Sequence, residues 1–214
     1  RTDDETVRQF AKDAGLELWY NDTSKSPKQT ERQSTAVKPY VLTIGDIFTD
    51  AFIKLREDKA RIDIDPDGSK RLSMEFGSKP PYERVDIVQG VGPSPNAAVA
   101  FSRLGLDAGL MAYLGDDMPG KDSLAYLLSE NIKTDTVSVQ NGVKSNYYYV
   151  LRYGADRTIL VKNEQYNYSW QEPLQEPDWI YLALISGDAW QLHEDLLRVE
   201  VAPDRFAVVE RRVG

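Results

Sequence analysis

From residue 85 onward, short β-branched apolar runs alternate with stretches that a proline opens and helical spacing continues, and this pattern limits the fold more than any other feature. Val85 to Gln89 reads as a strand. Pro95 can then open a helix with Ala97, Ala98, Ala100, Phe101 and Leu104 on its buried side, and Gly105 stops it. Ala108 to Leu114 returns as a strand. Pro119 opens a second helix whose Leu124, Leu127 and Leu128 share a face, and Thr136 to Val139 is a further strand. Trp179 to Ile185 is a fully apolar strand, and Ala189 to Val199 is helical with Leu192, Leu196, Leu197 and Val199 on one side. Strands that alternate with helices in this way are expected to lie parallel in an α/β sheet.

Upstream, Val41 to Phe48 is β-branched and apolar, a buried strand interrupted by Gly45, and Ala51 to Leu55 continues it. Asp65-Pro66-Asp67-Gly68 is a strong turn signal joining Ala60 to Ile64 with Arg71 to Phe76. Gly154-Ala155-Asp156 similarly joins Ser145–Tyr153 to Arg157–Lys162 as a hairpin. These two pairs, near 60–76 and 145–162, predict a small extra β layer. Residues 1–38 differ from the rest: they carry seven basic and seven acidic groups, and Asn21 to Lys38 is almost wholly polar. They read as a polar extension and linker ahead of a folded region, 39–214.

The 214 residues, 41% hydrophobic and 10% aromatic, can fill a sizeable core, which rules out disorder throughout. No apolar run approaches the ~18 residues of a membrane span. No basic-then-apolar leader is seen, although the sequence starts at Arg1 without a methionine. The net charge of −8 repels a phosphate backbone, so neither nucleic acid nor membrane is an expected partner. With no cysteine, thiolate chemistry, disulfides and Cys-ligated zinc are excluded, and the single His193 excludes a multi-histidine metal site. The lack of disulfides fits the cytoplasm. His193 lies beside Glu194 and Asp195 on an amphipathic helix and reads as part of a solvated face.

Chemistry concentrates in Gly90-Val91-Gly92-Pro93-Ser94-Pro95-Asn96, between a strand and a helix. Glycine there permits close approach of a ligand to the main chain, and a helix start offers free N–H groups. A dinucleotide fingerprint fails because Pro95 sits at the third glycine position, and no Gly-Lys-Ser/Thr follows to make a P-loop. Asn96 offers both a donor and an acceptor, to a bound hydroxyl or as a helix cap.

In this context the sequence resembles the ribokinase-like (PfkB) family of carbohydrate and nucleoside kinases. Val41-Leu42-Thr43-Ile44-Gly45-Asp46-Ile47-Phe48-Thr49-Asp50 looks like the family's first strand, ending in a glycine and, five residues on, an aspartate. Asn96, Ala98, Gly105 and Gly115 reproduce the spacing of its N-terminal signature, and Gly115-Asp116-Asp117-Met118-Pro119-Gly120 is similar to its Gly-Asp-Asp-x-x-Gly. Asn131 to Asp135, the Asp156-Arg157-Thr158 turn and the Trp179–Ile185 strand follow in the family's order, so the resemblance runs over roughly 40–200. It departs in two places. Val91 stands where a glycine pair is usual, and the second signature, an Asp-Thr-x-Gly-Ala-Gly-Asp motif carrying the catalytic base and anion hole, is absent.

The resemblance implies an α/β fold: a central, mostly parallel sheet flanked by helices, with a small β lid, and with the C-terminal part of the family's domain missing. It implies transfer of the γ-phosphoryl group of ATP, with Mg²⁺, to a carbohydrate hydroxyl. The base is expected in the missing part, so these residues alone are expected not to catalyse. Among them, Asp50 resembles the substrate aspartate, Gly92 and Asn96 the loop that holds sugar hydroxyls, and Tyr147 and Tyr149 belong to the lid that covers the sugar. The lid is also expected to pair two copies into a homodimer. Asp116 and Asp117 read as a structural turn rather than a metal site. Two alternatives stand beside this reading: a non-catalytic sugar-binding or dimerising fragment, and a less favoured nicotinamide-dependent oxidoreductase.

Overall fold

The computed structural model describes residues 38–199 and the backbone of 206–208. The polar extension expected over 1–38 therefore lies outside the described residues except for Lys38, as does most of the stretch after Val199. Eleven strands and three helices are described. Their order is β1 (Tyr40–Ile44), β2 (Phe48–Leu55), β3 (Arg61–Ile64), β4 (Lys70–Ser73), β5 (Tyr82–Val91), α1 (Pro93–Arg103), β6 (Asp107–Gly115), α2 (Met118–Ser129), β7 (Val137–Gln140), β8 (Tyr147–Tyr153), β9 (Asp156–Leu160), β10 (Trp179–Leu182), α3 (Trp190–Leu196) and β11 (Phe206–Val208).

Five strands form a wholly parallel sheet in the order β11-β10-β1-β6-β7. Alternation along its strands makes two cores. Tyr40, Leu42 and Ile44 of β1 join Met111 and Tyr113 of β6 on one face, under Tyr166, Tyr168 and the Leu192 and Leu196 side chains of α3. Ala108, Leu110, Ala112 and Leu114 of β6 point to the other face, against Ala98 and Val99 of α1 and Leu127 of α2. Burial on both sides is why these strands read as unbroken apolar runs. Thr43, the polar residue within β1, is buried with its hydroxyl donating to the Gly109 carbonyl at 3.0 Å.

A second, four-stranded sheet has the order β5-β2-β8-β9, with β2 antiparallel to β5 and parallel to β8, and β8 and β9 making the expected hairpin. This is the lid. Three expectations about it are corrected. Residues 48–55 do not continue the core strand: after Ile47 the chain leaves the parallel sheet and becomes the second strand of the lid. Asp50 and Lys54 explain the exit, since a strand buried on both faces would have to bury both charges. Val85–Gln89 is likewise in the lid and not the parallel sheet; Glu83, Arg84, Asp86 and Gln89 need a wet side. The 60–76 pair does form around its Asp-Pro-Asp-Gly turn, but β3 and β4 make a separate two-stranded ribbon outside the lid.

Two helix faces also differ from expectation. Helix α1 starts at Pro93 rather than Pro95 and buries Ser94, Pro95, Ala98 and Val99, leaving Leu104 80% exposed just past its end. In α2, Leu127 is fully buried, whereas Leu128 is 56% exposed.

Candidate functional site

Strand β1 is the point from which the chain runs to one side of the parallel sheet through β6 and β7 and to the other through β10 and β11. Ligands of open α/β sheets bind beyond the carboxyl ends of the strands at such a switch point. The turn that follows β1 there, Gly45 to Ile47, leads into β2, and the start of α1 packs against it. Ser94 of α1, fully buried, donates its hydroxyl to the Ile44 carbonyl at 2.6 Å. Gly92, the helix N-cap, has φ 137° and lies so close to the turn that a Cβ there would meet the Asp46 carbonyl oxygen at 2.6 Å and the Phe48 ring at 3.2 Å. Only glycine permits both the conformation and the contact.

The helix start is a poor anion site. Pro93 and Pro95 have no N–H, and Asn96 already donates its own to the Gly92 carbonyl at 2.9 Å. Of the usual first-turn donors, Ser94 alone remains. The cap is Gly92 and no side chain caps the helix, so Asn96, exposed within the first turn, does not serve as the cap.

Asp50 is the third residue of β2. It is half-buried, and its Oδ1 is fully buried with no hydrogen-bond partner. Burial pushes its carboxyl pKa up, and the Arg157 charge opposes that rise. The Tyr40 and Thr49 hydroxyls are the other described buried side-chain atoms without a partner. A carboxylate oxygen in that state is costly unless something binds it.

Register divides the lid into two faces. Asp50 pairs with Tyr148 and Phe52 with Val150, while Thr49 pairs with Tyr147 and Ala51 with Tyr149. Tyr148 therefore shares the face of Asp50. It stacks on Phe48 at 4.4 Å, and its hydroxyl donates to Asn163. Burial, followed by the Asp46 and Asp50 charges, pushes its pKa up to about 12. Tyr147 and Tyr149 contact each other at 5.3 Å on the opposite face. There they line a cavity of about 380 Å³ together with Lys144, Lys162, Asp117 and Leu160. The structure thus gathers Gly92 and Asp50 around the β1–β2 turn, with Asn96 one helical turn along α1, and separates Tyr147 and Tyr149 from them. The alternation of the three tyrosines was legible in the sequence; which face meets Asp50 depended on the path of β2.

Asp46 was missed. It is 7% exposed, its Oδ1 accepts from the Tyr168 hydroxyl at 3.3 Å, and burial pushes its pKa up to about 6. A signal was present: Tyr40, Leu42, Ile44 and Asp46 are alternate residues, so Asp46 continues the buried face of β1. Asp117 is structural. It caps α2, accepting from Gly120 N–H at 3.1 Å, and takes the Ser145 hydroxyl at 2.7 Å and N–H at 3.1 Å. Burial works to raise its pKa, and those hydrogen bonds prevail and lower it. Among the described residues no group of three or more histidines or carboxylates is arranged to hold a metal.

The family model described as pfkB family carbohydrate kinase matches residues 73–196. No curated protein sequence matches. Among solved structures the chain is similar to a ribokinase from Cryptococcus neoformans in complex with ADP, at 15% identity and a TM-score of 0.57, covering 80% of this chain and 49% of that one. It is similar to a nucleoside kinase from Methanocaldococcus jannaschii, at 13% identity and a TM-score of 0.55, covering 82% and 53%. A third is an uncharacterized sugar kinase from Pyrococcus horikoshii in complex with ATP, at 16% identity and a TM-score of 0.55, covering 78% and 52%. At these identities the likeness is one of fold, and the chain spans about half the length of the structures it matches. The residues described here do not themselves fit a nucleoside triphosphate or its Mg²⁺: the helix start at the switch point carries two prolines, and no carboxylate cluster faces it.

Proposed function

This chain belongs to the pfkB family of carbohydrate kinases, and on that premise we propose that residues 39–214 are the carbohydrate-binding N-terminal portion of an ATP-dependent phosphotransferase acting on a hydroxyl group. The observation that carries this reading is the buried, unpartnered Oδ1 of Asp50 beside the switch point. An ionised carboxylate accepts only, so its natural partners are the adjacent hydroxyls of a sugar. Gly92 lets the start of α1 pack against the turn that presents Asp50, and Asn96 supplies a donor and an acceptor at the rim. From the lid, Tyr148 meets the substrate in place of Tyr147 and Tyr149.

Phosphoryl transfer needs more than this chain supplies. The sequence holds no Asp-Thr-x-Gly-Ala-Gly-Asp motif, so the base and the site for ATP and Mg²⁺ belong to a complement it lacks. Alone, the 214 residues bind sugar without turnover. Residues 1–38, polar in sequence, are proposed as an extension, and a cytoplasmic location is part of the same proposal. No described helix is long and apolar enough to cross a membrane. A second reading, a dimerising fragment, has its own support. Val85, Ile87, Tyr149 and Leu160 are all exposed, and their register places them on the lid face opposite Asp50. That face suits a second copy of the chain.

The test is calorimetric titration of the full chain with D-ribose, D-fructose and adenosine. At least one should bind, and Asp50→Asn should weaken that binding tenfold or more. Failure of all three to bind, or equal binding by the variant, overturns the reading.

A further inference from the structure

Asp46 joins three segments that meet at the switch point. Its N–H donates to the Leu184 carbonyl at 2.9 Å, beyond the end of β10. Its own carbonyl oxygen faces Gly92 at the start of α1. Its carboxylate accepts from the Tyr168 hydroxyl at 3.3 Å. The groups facing that carboxylate are tyrosines on three elements: Tyr113 on β6, Tyr148 on β8, and Tyr166 and Tyr168 on the covering segment, each feeling the Asp46 charge. Among the described residues no lysine or arginine offsets it. A carboxylate buried without a cation costs stability, so packing alone does not explain it.

We propose that Asp46 is a positioning residue: its carboxylate, clamped to the Tyr168 hydroxyl while its N–H is held by the Leu184 carbonyl, fixes the β1–β2 turn that presents Asp50 and seats Gly92. The substrate part of this inference rests on the carbohydrate site proposed above; the clamp itself does not. As a carboxylate, Asp46 only accepts, and the Tyr168 hydroxyl has a fixed partner. Protonated, it has an O–H to place and accepts less well, so the turn loosens while the fold is relieved of a buried charge. The fold and the site therefore respond to the same proton with opposite signs, which a purely structural residue would not do.

Hydrogen–deuterium exchange of the full chain at one pH, 7.5, tests the clamp without any ligand. In Asp46→Asn, peptides over 44–50 and 90–96 should exchange at least tenfold faster while β6 and α2 are unchanged. Tyr168→Phe, which removes only a hydroxyl, should shift the same peptides by a smaller factor. Unchanged exchange in both variants, or acceleration spread over the whole chain, overturns the proposal. Titration with D-ribose, D-fructose and adenosine at pH 5 and 7.5 tests the consequence. Wild-type affinity should fall about tenfold at the lower pH, and Asp46→Asn should show weak binding at both. Equal pH profiles for the two proteins also overturn it. If none of the three probes binds the wild type, the carbohydrate reading fails and the exchange result alone decides the clamp.

Discussion

The parallel sheet and the lid sheet are cut from the same chain, yet they solve different problems. In β6 eight of nine residues are buried; in β5 only one of ten is. The first sheet is sandwiched, and its central strands β1 and β6 are largely apolar. The second alternates, with Arg84–Asp86 and Lys54–Glu83 ion pairs on wet surface that contribute little to stability. The first is the rigid part, and the second is held mainly by its hydrogen bonds and a half-covered apolar side. The candidate site lies where one becomes the other, at the turn between β1 and β2. The candidate site is thus anchored on one side by a packed core and bounded on the other by an exposed lid surface.

The sharpest way to break this contrast is to cut a buried side chain from the parallel sheet. Leu110→Ala, at a fully buried position in β6, should cost about 3 to 5 kcal/mol in a urea melt. If it costs less than about 1 kcal/mol, the parallel sheet is not the rigid part.

Next in size is the pH response of Asp46, which belongs to the boundary. Its folded-state pKa of about 6 lies above the ordinary 3.8, so the folded chain holds an extra proton between those values. Stability from this group is greatest below pH 4 and is lost as the pH rises to 6. At 1.36 kcal/mol per unit the loss is about 3 kcal/mol at most. Urea melts of wild type and Asp46→Asn between pH 4 and 7 should diverge by that slope. Parallel curves would remove Asp46 from the argument.

The smallest effect on stability belongs to the lid. Ile87→Lys, at an exposed position in β5, should change the free energy of unfolding by no more than about 0.5 kcal/mol. If the apolar lid face pairs with a second copy, sedimentation should show self-association in the wild type and none in this variant. Identical sedimentation of the two would leave the face without that role.

How much of this was legible follows the same division. Strand β6 could be read because a strand buried on both sides leaves no polar gaps, and α1 and α2 because proline marks their starts. The departure of β2 could not, because Val41 to Phe48 is apolar apart from Thr43, Gly45 and Asp46, and Gly45 looks like an interruption within one strand. That one misreading carried over to the site. With β2 in the wrong sheet, nothing could say which of Tyr147, Tyr148 and Tyr149 shares a face with Asp50. Asp50 itself, Gly92 and Asn96 were proposed from the order of motifs, although Asp50 lies outside the span 73–196 that the family model matches. The prolines that strip N–H groups from the start of α1 were in plain view. Pro95 was read only as a helix opener, although with Pro93 its stronger message concerned charge.

One pairing has a consequence for how the chain is made. Strand β1 is the first described strand to leave the ribosome, yet its first residue is held by a partner 138 positions later, Tyr40 N–H donating to Asp178 at 2.8 Å. At ordinary rates of synthesis that interval is on the order of ten seconds. The β8–β9 hairpin, closed by a two-residue turn, needs no such wait and can form within microseconds of emerging. During translation the outer strands of the lid are therefore complete before the centre of the parallel sheet has its second neighbour. For those seconds β1 is a bare apolar edge, and the nascent chain is most open to chaperones, or to its own kind, at the strand that ends up deepest.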